Sequence, residues 1–560
     1  MKKCPSFAEI LKNDKSAVFL TAAVSFYIAL IICLPLHTTL QTLTLTTVFL
    51  NFPISIAYHR LKNFSLKPQR GEPIPFSYFF LANLAIFSVY LYAAWPGCAL
   101  FDMIYQWSEA QRAQFTDWHP AIHTMMIWCL TRICDKFQFV LIFQAVIFMW
   151  VNSSLCHEIS KLGLSKKLSK WAFFLTIASP ATCSLMMTIW KDISFAISVL
   201  GLTEILVLTY FSDGRWIKSN SHAIIFGVVL ALASMLRHNG ILFTLPFAAV
   251  FAHLFRRKET TKYIARAFAI AICLFAFVKL PLYSYLKVSP HPQARAEMCG
   301  LPMTVLSEIF VKNPSVLDEE TKDFLLSIED YNTWKTRYVS GSWNSIKYLS
   351  APNENDFSIP VNEKIMEFSP KKVCLKALKH GILDPENALN ALVNLTGLTW
   401  RVTLFSDGLV KIYPLTDQNI SKYVAVEECC SKKDEKNLDF DKGLFKNSPL
   451  MKRSTLDSIF KGILQIVIIA YSIMFCVFWR PGIYLLLLLL SAFFSFHRLR
   501  WNAFLIISPI LAYNFGTMLL LCGPNDFRFF FCETLITFPY IFALLADKKF
   551  ISNRKASPNV

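Results

Sequence analysis

Long runs of apolar residues alternate along this chain with short polar segments. A helix that crosses a bilayer needs roughly 20 mostly apolar residues, and about thirteen runs approach that length. The pattern predicts an all-α polytopic membrane protein with a bundle of about 12–13 transmembrane helices. The runs lie at 17–36, 39–58, 75–95, 137–155, 171–189, 193–211, 222–236, 239–255, 264–286, 456–479, 482–496, 501–522 and 528–547.

The polar segments divide these runs into three parts. Residues 1–286 form an N-terminal transmembrane module, which contains an acidic loop at 96–136. A polar segment at 287–455 follows and is long enough to build a small core of its own. Residues 456–560 form a C-terminal transmembrane module that ends in a basic tail.

Composition and charge agree with a membrane protein and orient it. The chain is 54% hydrophobic and carries a formal net charge of +18, but its basic residues lie in short loops between apolar runs. That placement is typical of the positive-inside rule rather than of a nucleic-acid-binding surface. The basic loops at 59–70, 161–170 and 256–262 are therefore expected in the cytosol, and the acidic loop and 287–455 on the outer side.

Two runs do not fit a simple count of spans. The stretch 121–134 is apolar but too short to cross, so we expect a helix that lies at the outer interface. The run 482–496 either crosses fully, which places 497–500 outside and Arg528 inside, or is re-entrant, which reverses both assignments. Charge favours the re-entrant alternative.

The cysteines and the glycosylation sequons add little. Fifteen cysteines are scattered without a CxxC pattern, and the four in the polar segment would form disulfides only in an oxidising compartment. Those four are Cys299, Cys374, Cys429 and Cys430. Asn394 and Asn419 begin acceptor sequons, which have meaning only in a glycosylating secretory route.

Charged residues at the ends of apolar runs are costly, and they usually face a cavity or a partner. Four sequence-distant groups of this kind are predicted to share the outer side, the fourth only if 482–496 is re-entrant. They suggest a single site at the membrane boundary. The groups are the FDMIYQWSEAQRAQFTDWHPAIHT stretch at 101–124, Lys191-Asp192, Arg237-His-Asn239-Gly240, and Asp526-Phe-Arg528.

Asp102 is the residue in these groups that is hardest to explain structurally. An acid just after a span, next to Gln106, suits a general base or a metal ligand. His119 and His123 have the i, i+4 spacing of half a metal site, although no third ligand is evident.

Structural explanations exist for the other groups. Lys191-Asp192 can be a plain turn with an exposed ion pair, and Arg237 can be an interfacial residue that extends toward water. Asp117 to Pro120 can simply begin a helix. The sequence contains no P-loop, no GxSxG elbow and no GxGxxG fingerprint, which argues against an ATP-driven pump.

The order of these motifs resembles the GT-C superfamily of membrane glycosyltransferases. The resemblance is carried by Asp102 with Gln106, by DWHP with His123-Thr124, by Lys191-Asp192, by Arg-x-Asn-Gly at 237–240, and by Asp526-x-Arg528-Phe. It covers most of the spans but not 287–455. Two spans precede the acidic loop here that many members lack, and Asp102 is followed by Met rather than by a second acid.

The resemblance implies a GT-C-like bundle and a glycosyltransferase that uses a polyprenyl-phosphate sugar donor at the extracytoplasmic face of the inner (plasma) membrane. It implies catalytic roles for Asp102, Asp117, His119, Lys191 and Asp192. It implies substrate-binding roles for Gln106, His123, Arg237, Asn239, Asp526 and Arg528. Trp107, Trp118 and Trp190 are candidates for stacking on sugar rings.

The cofactor and the function class stay open at this stage. The implied chemistry does not require a metal ion, although Asp102 could bind a divalent one. The partners implied are the lipid-linked sugar, an unknown acceptor and membrane lipid, but no nucleic acid. The alternatives are a polytopic transporter or flippase, and a lipid-linked glycan polymerase or ligase.

Overall fold

A computed structural model gives the fold of most of the chain. It describes residues 15–33, 40–61, 72–93, 97, 101–161, 166–177, 179–290, 294–350, 363–366, 369–402, 480–521 and 527–546. Within these ranges the structure consists of helices and their connections, and it contains no strand.

The N-terminal module contains twelve helices that we number here. The helices are α1 (Lys15–Cys33), α2 (Leu40–Leu61), α3 (Phe76–Ala93), α4 (Phe101–Arg112), α5 (Ala121–Ile133), α6 (Phe137–Lys161), α7 (Lys166–Ile177), α8 (Pro180–Leu185), α9 (Lys191–Phe211), α10 (Asn220–Met235), α11 (Ile241–Phe255) and α12 (Thr261–Phe277). A 3-10 turn at His238–Gly240 precedes α11, and a π-helical turn at Val278–Leu282 extends α12.

The described part of the polar segment is a compact set of shorter helices. Its main helices are α13 (Gly300–Lys312), α14 (Glu319–Leu326), α15 (Tyr331–Arg337), α16 (Trp343–Lys347), α17 (Pro370–Leu383) and α18 (Pro385–Leu395). They enclose a core around the fully buried Trp334 and Trp343. We call this part the outer helical segment, after the side of the membrane that the sequence predicts for it.

Three long helices complete the part of the fold that the structure describes. They are α19 (Pro481–Leu499), α20 (Asn502–Leu521) and α21 (Phe531–Leu545), with a 3-10 turn at Phe527–Phe530 before α21. The predicted span 456–479 and the basic tail lie outside the described residues.

Eight helices among the described residues are long and apolar enough to cross a membrane. Many of their large apolar side chains face outward, as expected where lipid rather than water is the neighbour. The prediction of an all-α, multi-pass membrane protein is confirmed.

The predicted span at 171–189 is wrong as a continuous helix. The structure has two shorter helices there, α7 and α8, because Pro180 has no backbone N–H to donate and disfavours helical backbone in the residue before it. The break leaves Trp190 and Lys191 at the start of the next helix, on the same side of the bundle as Asp102.

The stretch that was expected at the interface is α5, a helix of 13 residues. Its length is too short to cross a bilayer. One face, which includes His123 and Thr124, is buried against α4, while Ile133 at its end is 75% exposed. Within the acidic loop, this helix therefore supports α4.

Contacts at both ends of α19 define its direction. Gly482 lies so close to Arg401, at the end of the outer helical segment, that a Cβ atom there would be 2.4 Å from the Arg401 carbonyl oxygen. At the other end Arg498 donates to the Leu544 carbonyl at 2.8 Å. Helix α19 thus starts beside the outer helical segment and ends at the opposite end of the bundle. Helix α20 runs back in the other direction. Arg528, which follows α20, therefore lies at the same end of the bundle as Asp102.

This topology corrects the re-entrant alternative for 482–496. The helix has 19 continuous residues and is long enough to cross. Residues 497–500 and Arg528 lie at opposite ends of the bundle, and Arg528 lies at the end that contacts the outer helical segment.

The outer helical segment rests on the membrane helices next to Arg528. Met518, Phe529 and Phe530 from the C-terminal module belong to the same buried cluster as Trp334 and Trp343. This packing fixes the turn that carries Arg528 relative to the polar segment.

The direction of α19 leads to a labelling prediction. In a background without native cysteines, Tyr285→Cys should react with a membrane-impermeant maleimide in intact cells, and Trp501→Cys only after permeabilisation. Both positions are exposed, at 81% and 57%, and they lie at opposite ends of the bundle. Labelling of both residues from one side would contradict the topology.

Candidate functional site

Three elements meet at a single carboxylate. Asp102 lies in the first turn of α4, where a negative charge is favoured by the helix dipole. Lys191 is the first residue of α9, where a positive charge is disfavoured unless an anion is close. Arg528 lies in the 3-10 turn before α21.

The Asp102 carboxylate binds both cations. Its Oδ2 atom accepts from Arg528 at 2.9 Å and from the Lys191 ammonium at 3.4 Å. The three side chains keep 26%, 14% and 12% of their surface exposed, for Asp102, Arg528 and Lys191 respectively. The cluster is therefore largely desolvated but still open to a ligand.

The charges around Asp102 determine its protonation. Burial alone would raise the pKa of Asp102, but the adjacent Arg528 and Lys191 outweigh it and hold the pKa well below its usual range. In the resting site Asp102 is a carboxylate.

His119 extends the cluster toward the acidic loop. Its Nδ1 atom is 3.0 Å from the Lys191 ammonium, and its ring is buried. Burial and the neighbouring Lys191 lower the pKa of His119 well below its usual value. The neutral ring therefore accepts a hydrogen bond from Lys191 at Nδ1 and carries its own proton on Nε2.

A second network lies directly behind the first. Asp192 and Arg237 form an ion pair in which both side chains are almost wholly buried. The Arg237 Nε atom also donates to Asn239 at 3.0 Å, and Asn239 donates to Thr517 at 2.6 Å. The network joins α9, the turn before α11, and α20.

Aromatic rings separate the two networks. The Arg528 guanidinium lies 4.7 Å from the centre of the Trp190 ring and 5.2 Å from that of Phe529, while Arg237 lies 4.8 Å from the same Phe529 ring. Cation–π attraction at such distances helps to hold two like charges near each other.

Gln106 and His123 are placed away from solvent. Gln106 is fully buried and donates to Thr124 at 3.1 Å, which ties α4 to α5. His123 is 3% exposed, and burial together with the charge of Lys191 lowers its pKa to about 3. Both side chains therefore stabilise the helices around the site and are not exposed to a ligand.

Asp117 lies in a separate cluster that also contains residues missed in the sequence. Its carboxylate accepts from Lys279 at 3.1 Å and from the Tyr283 hydroxyl at 3.1 Å. The only sequence signal for these two partners was a lysine near the end of an apolar run, which is usually an interfacial residue.

The outer helical segment reaches the site through Tyr348, which sequence reasoning also missed. Burial, followed by the charges of Glu297 and Asp102, raises the pKa of this tyrosine to about 12. Glu297 in turn accepts from Lys347 at 2.8 Å and from the Trp343 indole at 2.9 Å. Tyr348 is therefore near enough to Asp102 for the charge of that carboxylate to raise its pKa.

The remaining sequence candidates are placed as follows. Trp107 and Trp190 are buried, whereas Trp118 is partly exposed. Asp526 lies outside the described residues. Among the residues that the structure describes, no group of three or more His, Cys, Asp or Glu side chains could hold a metal ion.

Comparisons with protein-family models, with curated proteins and with solved structures returned no match.

The buried pair leads to a stability prediction. Asp192→Asn should lower the free energy of unfolding by about 3–5 kcal/mol, because Arg237 is left buried without its counter-charge. Asp213→Asn is the matched control: its partner Arg257 is 58% exposed, so about 0–1 kcal/mol is expected. Thermal unfolding in detergent compares the two variants, and equal losses would contradict this interpretation of the buried pair.

Glu109 in α4 leads to a pH prediction. Burial raises the pKa of Glu109 from 4.5 to about 7, although Thr116 donates to it. The folded protein therefore binds this proton more tightly than the unfolded chain. The contribution of protonated Glu109 to the stability of the fold is complete below pH 4.5 and is lost as the pH rises to about 7.

The Glu109→Gln variant isolates that contribution. Relative to the variant, the wild type should lose about 3 kcal/mol of stability between pH 4.5 and 7. Unfolding midpoints measured across this range provide the comparison. A difference between the two proteins that does not change with pH would contradict the prediction.

Proposed function

We propose that this protein is an integral membrane glycosyltransferase. It transfers a sugar from a polyprenyl-phosphate donor to an acceptor at the extracytoplasmic face of the plasma membrane. The observation that carries the proposal is a carboxylate held between two cations, Lys191 and Arg528, where membrane helices begin. The GT-C resemblance of the sequence assigns these residues to the same chemistry.

The two cations suit the leaving group. Transfer breaks the bond between the anomeric carbon and the phosphate oxygen, forms a bond to the acceptor oxygen, and leaves negative charge on the lipid phosphate. Arg528 presents a planar fork that matches phosphate oxygens, and Lys191 adds a point charge. Stabilisation of developing charge by such fixed cations is commonly a large part of catalysis.

Asp102 is the proposed general base. It would receive the acceptor hydroxyl proton as the new bond forms. With both cations bound to it, the low pKa of Asp102 makes it a weak base. A phosphate that binds Lys191 and Arg528 withdraws them from the carboxylate, so donor binding itself raises the pKa of Asp102 toward a useful range.

His119 and the second network act through these groups. His119 holds the Lys191 ammonium at 3.0 Å and can orient it toward the phosphate. Asp192 neutralises Arg237 behind the site, which leaves Arg237 a supporting residue rather than a direct phosphate ligand. Trp118 is the partly exposed aromatic residue that is available to stack on a sugar.

A bound metal ion has no part in this mechanism. The Asp102 carboxylate already accepts from two cationic groups, and a divalent ion next to them would be repelled by both. The donor set around Asp102 therefore does not fit a metal.

A transporter or flippase is the second candidate, and Glu533 is the observation that favours it. This residue of α21 is fully buried, with both carboxylate oxygens unpaired among the described residues and Asn514 beside it. Carboxyl groups inside spans often mark ion pathways. The partly exposed cluster at the helix ends nevertheless fits a membrane-boundary enzyme better than a midplane binding site.

Transfer of a labelled sugar from polyprenyl-phosphate donors in membranes tests the proposal. Asp102→Asn should lower the rate by about 10²–10⁴-fold, and Arg528→Gln or Lys191→Met by about 10²–10³-fold. Asp213→Asn and Lys218→Met, in exposed ion pairs on the opposite face, are the matched controls. Transfer that survives all three site substitutions at equal expression would contradict the proposal and favour the transporter.

A further inference from the structure

The Asp117 cluster is a compact polar group at the end of a long apolar helix. The Lys279 ammonium is 3.1 Å from the Asp117 carboxylate, 3.1 Å from the Tyr283 hydroxyl and 4.4 Å from the centre of the Tyr283 ring. Lys279 and Asp117 keep 24% and 30% of their side-chain surface exposed. The cluster is thus accessible from outside the bundle.

The helix that carries Lys279 lies at the perimeter of the bundle. Only 22% of the most apolar stretch of this helix is buried inside the protein. Close to the cluster, Phe277 and Leu280 are 57% and 68% exposed. In a membrane span such exposed apolar side chains face lipid, so Lys279 lies where the bilayer meets the protein near the interface.

The backbone around Lys279 is irregular. Residues Val278–Leu282 form a π-helical turn that contains Pro281. Turns of this kind inside α-helices occur often at functional sites. Here the turn places Lys279 and Tyr283 on the same side, facing the acidic loop.

The cluster is held firmly next to the Asp102 site. The backbone N–H of Asp117 donates to the Ser289 carbonyl at 2.8 Å, and the N–H of Ser289 donates to the Phe115 carbonyl at 3.1 Å. Two residues after Asp117, His119 contacts Lys191. A short run of polar residues therefore leads from the lipid-facing surface to the buried cations.

We propose that Lys279 and Tyr283 form the site at which the phosphate headgroup of a lipid enters from the bilayer, with Asp117 as the competing anion. Lys279 exchanges the Asp117 carboxylate for the lipid phosphate, and Tyr283 donates a hydrogen bond to it. The headgroup then passes His119 to reach Lys191 and Arg528. This inference rests on the proposed function, because it assigns the entry of that reaction's lipid substrate.

The competition between Asp117 and phosphate gives two effects of opposite sign. Lys279→Met removes the cation and should weaken binding of a lipid phosphate about tenfold, the usual size for a charge-assisted hydrogen bond. Asp117→Asn removes the competing anion and should tighten binding. A purely structural ion pair would give no gain of affinity in the second variant.

Binding of sugar-free polyprenyl phosphate to the purified full-length protein in detergent tests this inference. Every protein compared carries Lys191→Met and Arg528→Gln, so that the second phosphate site does not contribute to the measured affinity. Lys262→Met is the matched control, because Lys262 also lies beside a tyrosine ring, 4.9 Å from that of Tyr263, but at the other end of the same helix. The affinity of this variant for the lipid should be unchanged. Weaker binding in Lys279→Met with tighter binding in Asp117→Asn would support the entry site.

The contradicting outcomes are equally defined. The reference protein is the one that carries only Lys191→Met and Arg528→Gln. The entry site is overturned if Lys279→Met binds like this reference, if Asp117→Asn loses affinity, or if the reference does not bind the lipid. Full competition by inorganic phosphate at concentrations equal to the lipid would identify free phosphate as the ligand and would also overturn it. Because no sugar is transferred in this assay, the entry site can stand where the transfer assay fails, and the reverse.

Discussion

The contact of Asp102 with Lys191 and Arg528 determines how the rest of the site is arranged. Each of these charges would be costly alone at the end of an apolar helix, because its surroundings solvate it poorly. The same surroundings strengthen the attraction between the charge and a partner of opposite sign. Three elements that are far apart in the sequence are therefore held at a single point. The same charges form a place where an anion can exchange with the carboxylate.

Two features hold this point in position. Behind it, the buried pair of Asp192 and Arg237 joins α9 to the turn before α11 and, through Asn239, to α20. Next to it, the outer helical segment packs on Phe529 and Phe530. The cations are thus fixed before a ligand arrives, which is the condition under which charges contribute most to a transition state.

The sequence predicted some features of the site correctly and could not predict others. Lys191 and Asp192 could be found because a charged pair between two apolar runs is costly wherever it lies. Their separation into two networks could not, because it depends on which side of α9 packs against α20. The sequence likewise did not show that Arg237 is buried, because its burial depends on how the helices pack.

Other errors had local causes. The break at Pro180 could have been read from the proline itself. The re-entrant alternative for 482–496 rested on charge alone, and only the contacts at the two ends of α19 show its direction. Lys279 was missed because a lysine near the end of a span is so often an interfacial residue. Its partner Asp117 is 162 positions away in the chain, and pairing over that distance is not visible in a single sequence.

The most direct test of the central claim is a double-mutant cycle on sugar transfer. It compares Asp102→Asn, Arg528→Gln and the double variant by kcat/KM for the lipid-linked donor. If both residues act in the same transfer step at one site, the double variant should be no more than about tenfold slower than the slower single variant. Losses that multiply would mean that the two residues act independently, and the single site described here would be wrong.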